Sequence, residues 1–334
     1  RGSTFTCVAL GAALTTMRML AAIAAGLALS AGVAGASGHV QTFVSFDPAA
    51  GEFPEGIAVD KYGNVYVSMT ELDQIWKIDP SGTVLVEIDV PGEGPAGLAV
   101  DAAGTVYAAI SAFDLETGQT DPATRGVYRI RPESTAERLP GTGAMLFPND
   151  VTLDKQGNVY ATDTSGGTVW RVPRDGSAEL WSGDPLLAGD GSFGFGFPIG
   201  ANGIAFRNGE LIVANSERGR LVRIPVEPDG SAGEATVLTE STALLGADGI
   251  ALDVHGDVYV ASAILYTVVR SGSDGSIETL ATADDGLNQP STLAFGTGKG
   301  ERQTLFVANF SIFSATPTPG VLKLPVGVPG QPLP

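Results

Sequence analysis

The chain has 334 residues, a formal net charge of −18 and one cysteine. A surface that acidic excludes nucleic acid and anionic membranes as natural partners. A lone Cys7 excludes a disulfide framework.

Residues 1–16 read as sequence upstream of a start at Met17. Met17-Arg18-Met19 precedes an apolar stretch from Leu20 to Leu29, and Ala34-Gly35-Ala36 has the form of a cleavage site. The pattern predicts a secretory signal peptide removed after residue 36, and hence a secreted or periplasmic protein. The apolar stretch is too short to span a bilayer. Removal takes away Arg1, Arg18 and Cys7, so the charge moves from −18 to −20 and no thiol remains. Residues 37–334 are expected to form one domain with no membrane attachment, acting as a monomer on a small-molecule substrate.

The first predicted strand, Val40 to Phe46, belongs to no repeat. The repeat begins after it: Glu55-Gly56-Ile57-Ala58-Val59-Asp60, Ala96-Gly97-Leu98-Ala99-Val100-Asp101, Asn149-Asp150-Val151-Thr152-Leu153-Asp154, Asn202-Gly203-Ile204-Ala205-Phe206 and Asp248-Gly249-Ile250-Ala251-Leu252-Asp253. Ser291-Thr292-Leu293-Ala294-Phe295 is a degenerate sixth copy. The starts at 55, 96, 149, 202, 248 and 291 are 41, 53, 53, 46 and 43 residues apart. Periods of roughly 40–50 residues are those of propeller blades. Within each copy a Gly turn leads to a second apolar run, as in Gly63-Asn64-Val65-Tyr66-Val67. A third run alternates apolar and basic residues, as in Val169-Trp170-Arg171-Val172. Asp-Gly turns then lead to a weaker fourth strand, such as Ile277 to Leu280. Alternation of this kind predicts strands with one face buried. The expected fold is all-β: a six-bladed β-propeller of four-stranded antiparallel blades. The sixth copy lacks an outer strand, so the spare N-terminal strand is expected to close the ring and remove its free edge.

Four of the six first positions carry hard oxygen donors: Glu55, Asn149, Asn202 and Asp248. One register of a propeller repeat faces the central channel, so these side chains are expected to converge. Two carboxylates balance a divalent ion and two amides add dipoles, which suits Ca2+, with another divalent cation such as magnesium as the alternative. Zinc is a poor fit, since only His39 and His255 remain as soft donors. Asn-Gly and Asp-Gly are also turn formers, but Glu55 is not, and turns do not explain a shared register.

The motifs Pro54-Glu55-Gly56, Pro148-Asn149-Asp150, Ala201-Asn202-Gly203 and Ala247-Asp248-Gly249 resemble those of the senescence marker protein/gluconolactonase-like (regucalcin-like) family. Diisopropyl fluorophosphatase and, more distantly, paraoxonase share that six-bladed calcium-dependent architecture. The resemblance implies a metal-dependent hydrolase of lactones, esters or phosphotriesters. It implies that Glu55, Asn202 and Asp248 ligate the metal, and that Asn149 ligates it or contacts substrate. It favours Asp248 as the catalytic base or nucleophile, with Glu55 as the other candidate base. Sugar lactonases of the family carry Arg two residues before the Asn of the third motif; here that residue is Phe147, which favours a more apolar substrate. His255 lies in a turn between strands and His39 near the mature N-terminus, so neither is expected at the site.

The segment from Gly183 to Gly200 carries Phe193, Phe195 and Phe197 among glycines and is a candidate lid. Met69, Phe113, Phe147, Tyr266 and Phe310 follow first or second strands, where they line an apolar cup or pack into the core. No G-x-S-x-G, H-E-x-x-H, P-loop or dinucleotide fingerprint is present. Two rival readings remain: a non-catalytic NHL-like interaction propeller, and a metal-independent strictosidine-synthase-like propeller.

Overall fold

The computed structural model describes residues 39–114 and 119–333. The segment expected to be a signal peptide, with Cys7, lies outside the described residues. Six four-stranded antiparallel sheets follow one another around a ring. After β1 (Gln41–Ser45), blade 1 comprises β2 (Pro54–Val59), β3 (Val65–Met69), β4 (Gln74–Ile78) and β5 (Val84–Asp89). Blade 2 comprises β6 (Pro95–Val100), β7 (Val106–Ile110), β10 (Gly126–Ile130) and a two-residue β11 (Glu137–Arg138). Between β7 and β10 it inserts a small pair, β8 (Phe113–Asp114) with β9 (Gln119–Thr120). Blade 3 comprises β12 (Pro148–Leu153), β13 (Val159–Asp163), β14 (Thr168–Val172) and β15 (Glu179–Ser182). Blade 4 comprises β16 (Ala201–Arg207), β17 (Glu210–Asn215), β18 (Arg220–Pro225) and β19 (Thr236–Glu240). Blade 5 comprises β20 (Ala247–Leu252), β21 (Val258–Ser262), β22 (Thr267–Ser271) and β23 (Ile277–Ala281). Blade 6 comprises β24 (Pro290–Phe295), β25 (Thr304–Asn309) and β26 (Gly320–Pro325), and β1 completes it by pairing antiparallel with β26.

The closing strand is therefore where the sequence places it. Gln41 faces Lys323 and Ser45 faces Gly320, and just beyond the strand Phe46 packs edge-on against Trp76, ring centroids 5.7 Å apart. Burial is greater than the alternating pattern predicts. All five residues of β3 and of β13 are buried, on both faces. The reason is the ring itself: each blade lies between two others, so apolar residues of one parity pack forward and those of the other pack back. The core accordingly divides into clusters at the blade interfaces. One joins Val65, Val67 and Met69 to Phe306 and Val321 of blade 6. Another joins Tyr66 and Ile75 of blade 1 to Leu98 and Val106 of blade 2.

The Asp that ends four of the repeats shapes the turn to the second strand. Asp60 accepts from the amides of Tyr62 (2.8 Å) and Asn64 (3.0 Å). Asp101, Asp154 and Asp253 do the same two and four residues ahead. A side-chain acceptor two residues back is the mechanism by which Asp favours turns. These turns lie at the lower end of the ring. The starts of the inner strands lie at the upper end, together with the ends of the second strands that pair with them.

Candidate metal centre

All six inner strands are irregular at the same place. Pairing with the second strand shifts between Pro54 and Ile57, Pro95 and Leu98, Pro148 and Val151, Ala201 and Ile204, Ala247 and Ile250, and Pro290 and Leu293. A bulge of this kind re-aims a side chain out of the regular alternation. The first unpaired residue is Glu55, Ala96, Asn149, Asn202, Asp248 or Ser291. Asn202-Gly203 and Asp248-Gly249 thus belong to strand bulges, not to turns. The next residue faces the neighbouring inner strand at very short range. A Cβ on Gly56 would collide with the Ala96 carbonyl, and one on Gly203 with the Asp248 carbonyl.

Hydroxyl groups brace these bulges. Ser68 Oγ accepts from the Gly56 amide (2.6 Å) and Thr162 Oγ1 from the Asp150 amide (3.0 Å). Ser291 Oγ donates across the ring seam to the Glu55 carbonyl (2.7 Å). Asn202 is 6% exposed; its Nδ2 donates to Ser216 Oγ (3.0 Å), which donates to the Ala247 carbonyl (2.6 Å). That chain fixes the amide and leaves Asn202 Oδ1 buried with no partner. Glu55 Oε2 is likewise buried and unpartnered. Asn149 is buried, while Glu55 and Asp248 are half-buried at the channel wall.

A third carboxyl group belongs to this set and was missed in the sequence. Asp150 occupies the bulge position held by glycine in blades 1, 2, 4 and 5. Its Oδ2 accepts from the Ile204 amide of blade 4 (3.0 Å) and its Oδ1 from the Val151 amide (2.8 Å). The departure from glycine, shared only with Thr292 of the degenerate sixth copy, was the available signal. Burial pushes Asp150 up to about 7, against the pull of those two amides. Burial, and then the Asp150 charge, push Asp248 up to about 8, opposed by a hydrogen bond from Asn202. Glu55 stands well above the usual carboxylate range, through burial first and then Asp248 and Asp150. Three acidic groups therefore disfavour one another's ionisation, and the two orphaned atoms beside them are both acceptors. Groups of that kind are satisfied by protons or by a cation. The donor set of two carboxylates and two carboxamides fits a hard divalent ion. Among the described residues no group of three or more His, Cys, Asp or Glu side chains forms a metal cluster on its own, so the set depends on Asn149 and Asn202.

The predicted aromatic residues divide into two groups at the upper end. Phe113, Phe147 and Phe197 form a triangle with centroids 5.4, 5.7 and 5.6 Å apart, and Phe147 and Phe197 are stacked at 26°. Phe195 is 6.5 Å from Phe197. The loop after Gly183 thus meets the residue two places before Asn149. Phe193 is 7% exposed and points into the fold. Tyr266 and Phe310 belong to blades 5 and 6, where both approach Gln289. Met69 is fully buried core. A cavity of about 850 Å³ occupies the lower part of the channel, lined by Ile57, Leu98, Ile204 and Ile250, with Asp150 and His255 also in its lining. It opens at the face opposite the aromatic residues.

No curated protein matches the chain by sequence. Residues 30–99 match the model of the SMP-30/Gluconolactonase/LRE-like region. Among solved structures, a gluconolactonase of Xanthomonas campestris is similar at 19% identity and a TM-score of 0.61, over 90% of this chain and 99% of that one. The calcium-binding protein regucalcin of Agrobacterium tumefaciens is similar at 16% identity and a TM-score of 0.64, over 89% and 96%. Virginiamycin B lyase of Staphylococcus aureus is similar at 17% identity and a TM-score of 0.54, over 81% and 80%. Likeness at these identities is likeness of fold, and it spans hydrolytic and lyase chemistry alike. By the matched segment that contains Glu55, and by its fold around the whole ring, the chain resembles the SMP-30/gluconolactonase-like (regucalcin-like) family.

Proposed function

We propose that this protein is an exported, divalent-metal-dependent hydrolase of lactones or esters, with calcium the preferred ion and phosphotriesters a further substrate class. The observation that carries the reading is the pair of orphaned acceptors, Glu55 Oε2 and Asn202 Oδ1, in a centre whose three carboxyl groups, Glu55, Asp150 and Asp248, are all raised above the usual carboxylate range. Glu55, Asn149, Asn202 and Asp248 would hold the ion. Such an ion supplies Lewis-acid polarisation of a carbonyl or phosphoryl oxygen and acidifies water. Asp248, oriented by the Asn202 amide, acts at the reacting centre as general base or as nucleophile. Ionised, its carboxylate takes the proton of a water that attacks the carbonyl carbon, or attacks that carbon itself. In the second case the C–O bond to the alcohol oxygen breaks, the alkoxide takes a proton from water, and a second water hydrolyses the acyl–Asp248 anhydride. Glu55 contributes negative charge beside it. Phe147, Phe195 and Phe197 offer the leaving or acyl group an apolar wall that excludes water. Export is inferred from Leu20 to Leu29 and Ala34-Gly35-Ala36 alone.

The test has two arms. Calorimetry of the protein with calcium is expected to show saturable binding. A panel of lactones and chromogenic esters is expected to turn over with calcium and to stop with chelator. No calcium binding, together with turnover indifferent to chelator, overturns the reading. Calcium binding without turnover of any substrate would instead identify a metal-binding, non-catalytic propeller.

A further inference from the structure

The aromatic triangle is held from behind by two buried carboxylates that take no part in the chemistry above. Glu217, just beyond β17, is 5% exposed. Its Oε2 accepts from the amides of Asp190 (2.6 Å) and Gly191 (2.8 Å), and its Oε1 from that of Phe193 (3.3 Å). The Glu217 amide donates to the Ile199 carbonyl (3.2 Å) and that of Ser216 to Gly200 (3.2 Å). Both ends of the glycine-rich loop are thereby tied to one short segment. Asp163, the last residue of β13, is 2% exposed. Its carboxylate accepts from the amides of Leu146 (2.7 Å), Phe147 (2.9 Å) and Gly166 (3.1 Å). The two loops so held meet in the Phe147–Phe197 stack.

Neither carboxylate has a cationic partner among the ion pairs of the described residues. Arg218, next to Glu217, pairs with Asp190 at 3.2 Å. Burying a carboxylate among neutral amides is costly, and an apolar side chain would fix a loop more cheaply. What several charge-assisted bonds to successive amides add is one defined loop conformation. The rings at stake remain half-exposed while the backbone that carries them is locked. Half-exposed rings on a fixed backbone form a preorganised surface, which binds without first being ordered.

We propose that Glu217 and Asp163 are positioning residues that fix Phe197 and Phe147 as a rigid wall, selective for substrates bearing a flat apolar group. The selectivity rests on the hydrolase reading; the positioning does not. The loop is therefore a wall and not a swinging lid.

Glu217→Gln keeps the shape of the side chain but sets an amide donor against the loop amides. Chymotrypsin cleaves after Phe193 and Phe195, though not after Phe197, which Pro198 follows, so it reports loop order directly. In the variant, cleavage there should accelerate about tenfold as the local opening free energy falls. kcat/KM for phenyl acetate should fall about tenfold through KM, while that for methyl acetate stays within about twofold. Arg218→Ala, which breaks only the exposed ion pair, should change neither readout. Unchanged cleavage in Glu217→Gln, with its melting temperature equal to the parent's, overturns the positioning role. Faster cleavage with equal loss for both esters overturns the selectivity. If the parent hydrolyses neither ester, the selectivity for flat apolar esters fails, the lactone panel decides the hydrolase reading, and the cleavage rate alone decides the positioning role.

Discussion

Without metal, the three crowded carboxyl groups should make the ring less stable as pH rises. The firmest magnitude comes from Asp150, which is 7% exposed, because Glu55 and Asp248 keep some contact with channel solvent. Burial raises Asp150 from 3.8 to about 7 in the fold. A raised folded value means that the native state holds its proton more tightly than the unfolded chain. Its contribution to stability is complete below about pH 4 and is lost as pH climbs towards 7. The slope between those limits is about 1.4 kcal/mol per pH unit for one such group. From pH 5 to 7, Asp150 alone should therefore remove about 2 kcal/mol. For a domain of this size that lowers the melting temperature by roughly 5 °C. Other groups titrate as well, so the comparison that isolates the effect is with Asp150→Asn, which cannot ionise. The melting-temperature gap between variant and parent should shift by that amount between pH 5 and 7 in chelator. Saturating calcium should oppose the fall in the parent, because it favours the ionised carboxylates and adds binding free energy to the native state. Calcium stabilisation should be larger at pH 7 than at pH 5. A gap between parent and Asp150→Asn that does not move with pH would refute the account of Asp150. Equal calcium stabilisation at both pH values would refute the assignment of the ion to this centre.

Asp248→Asn keeps size and removes charge; hydrolysis should fall at least about a hundredfold, with weaker calcium binding by calorimetry. Ala96→Ser, in the same bulge register but without a donor role, should leave kcat within about twofold of the parent. Phe147→Arg replaces an apolar wall residue with a hydrogen-bond donor, so the kcat/KM preference for phenyl acetate over gluconolactone should narrow by about tenfold or reverse. A parent that prefers gluconolactone would show the wall to be misassigned. Phe46→Ala removes the ring that sits just past the closing strand and packs on Trp76; a loss of about 3–5 kcal/mol is expected in denaturant melts, and a negligible loss would mean that the seam does not depend on it.

Much of this architecture is legible in neighbouring residues. The spacing of the Gly-Ile-Ala-Val-type segments, the Asp-x-x-Gly turns and the alternating strands are local patterns. They suffice for six four-stranded blades and for the spare strand that closes the ring. The common register of Glu55, Asn149, Asn202 and Asp248 is legible too, because a repeat turns equal sequence position into equal height in the channel.

What only the tertiary structure decided is what depends on partners far away in the chain. The bulge that re-aims each motif residue exists only through its pairing with the second strand. Asp150 looks like one more turn residue until the ring closes, when it lies within electrostatic reach of Glu55 and Asp248 and bonds the Ile204 amide. Alternation predicts strands buried on one face, yet the second strands are buried on both, because each blade is enclosed by its neighbours. Glu217 and Asp163 give no sign in the sequence of the loops they hold; their acceptors meet amides that only the packing of blades 3 and 4 brings to them. Period and propensity act between adjacent residues, whereas charge crowding and the orphaned acceptors arise where the six inner strands converge around one axis.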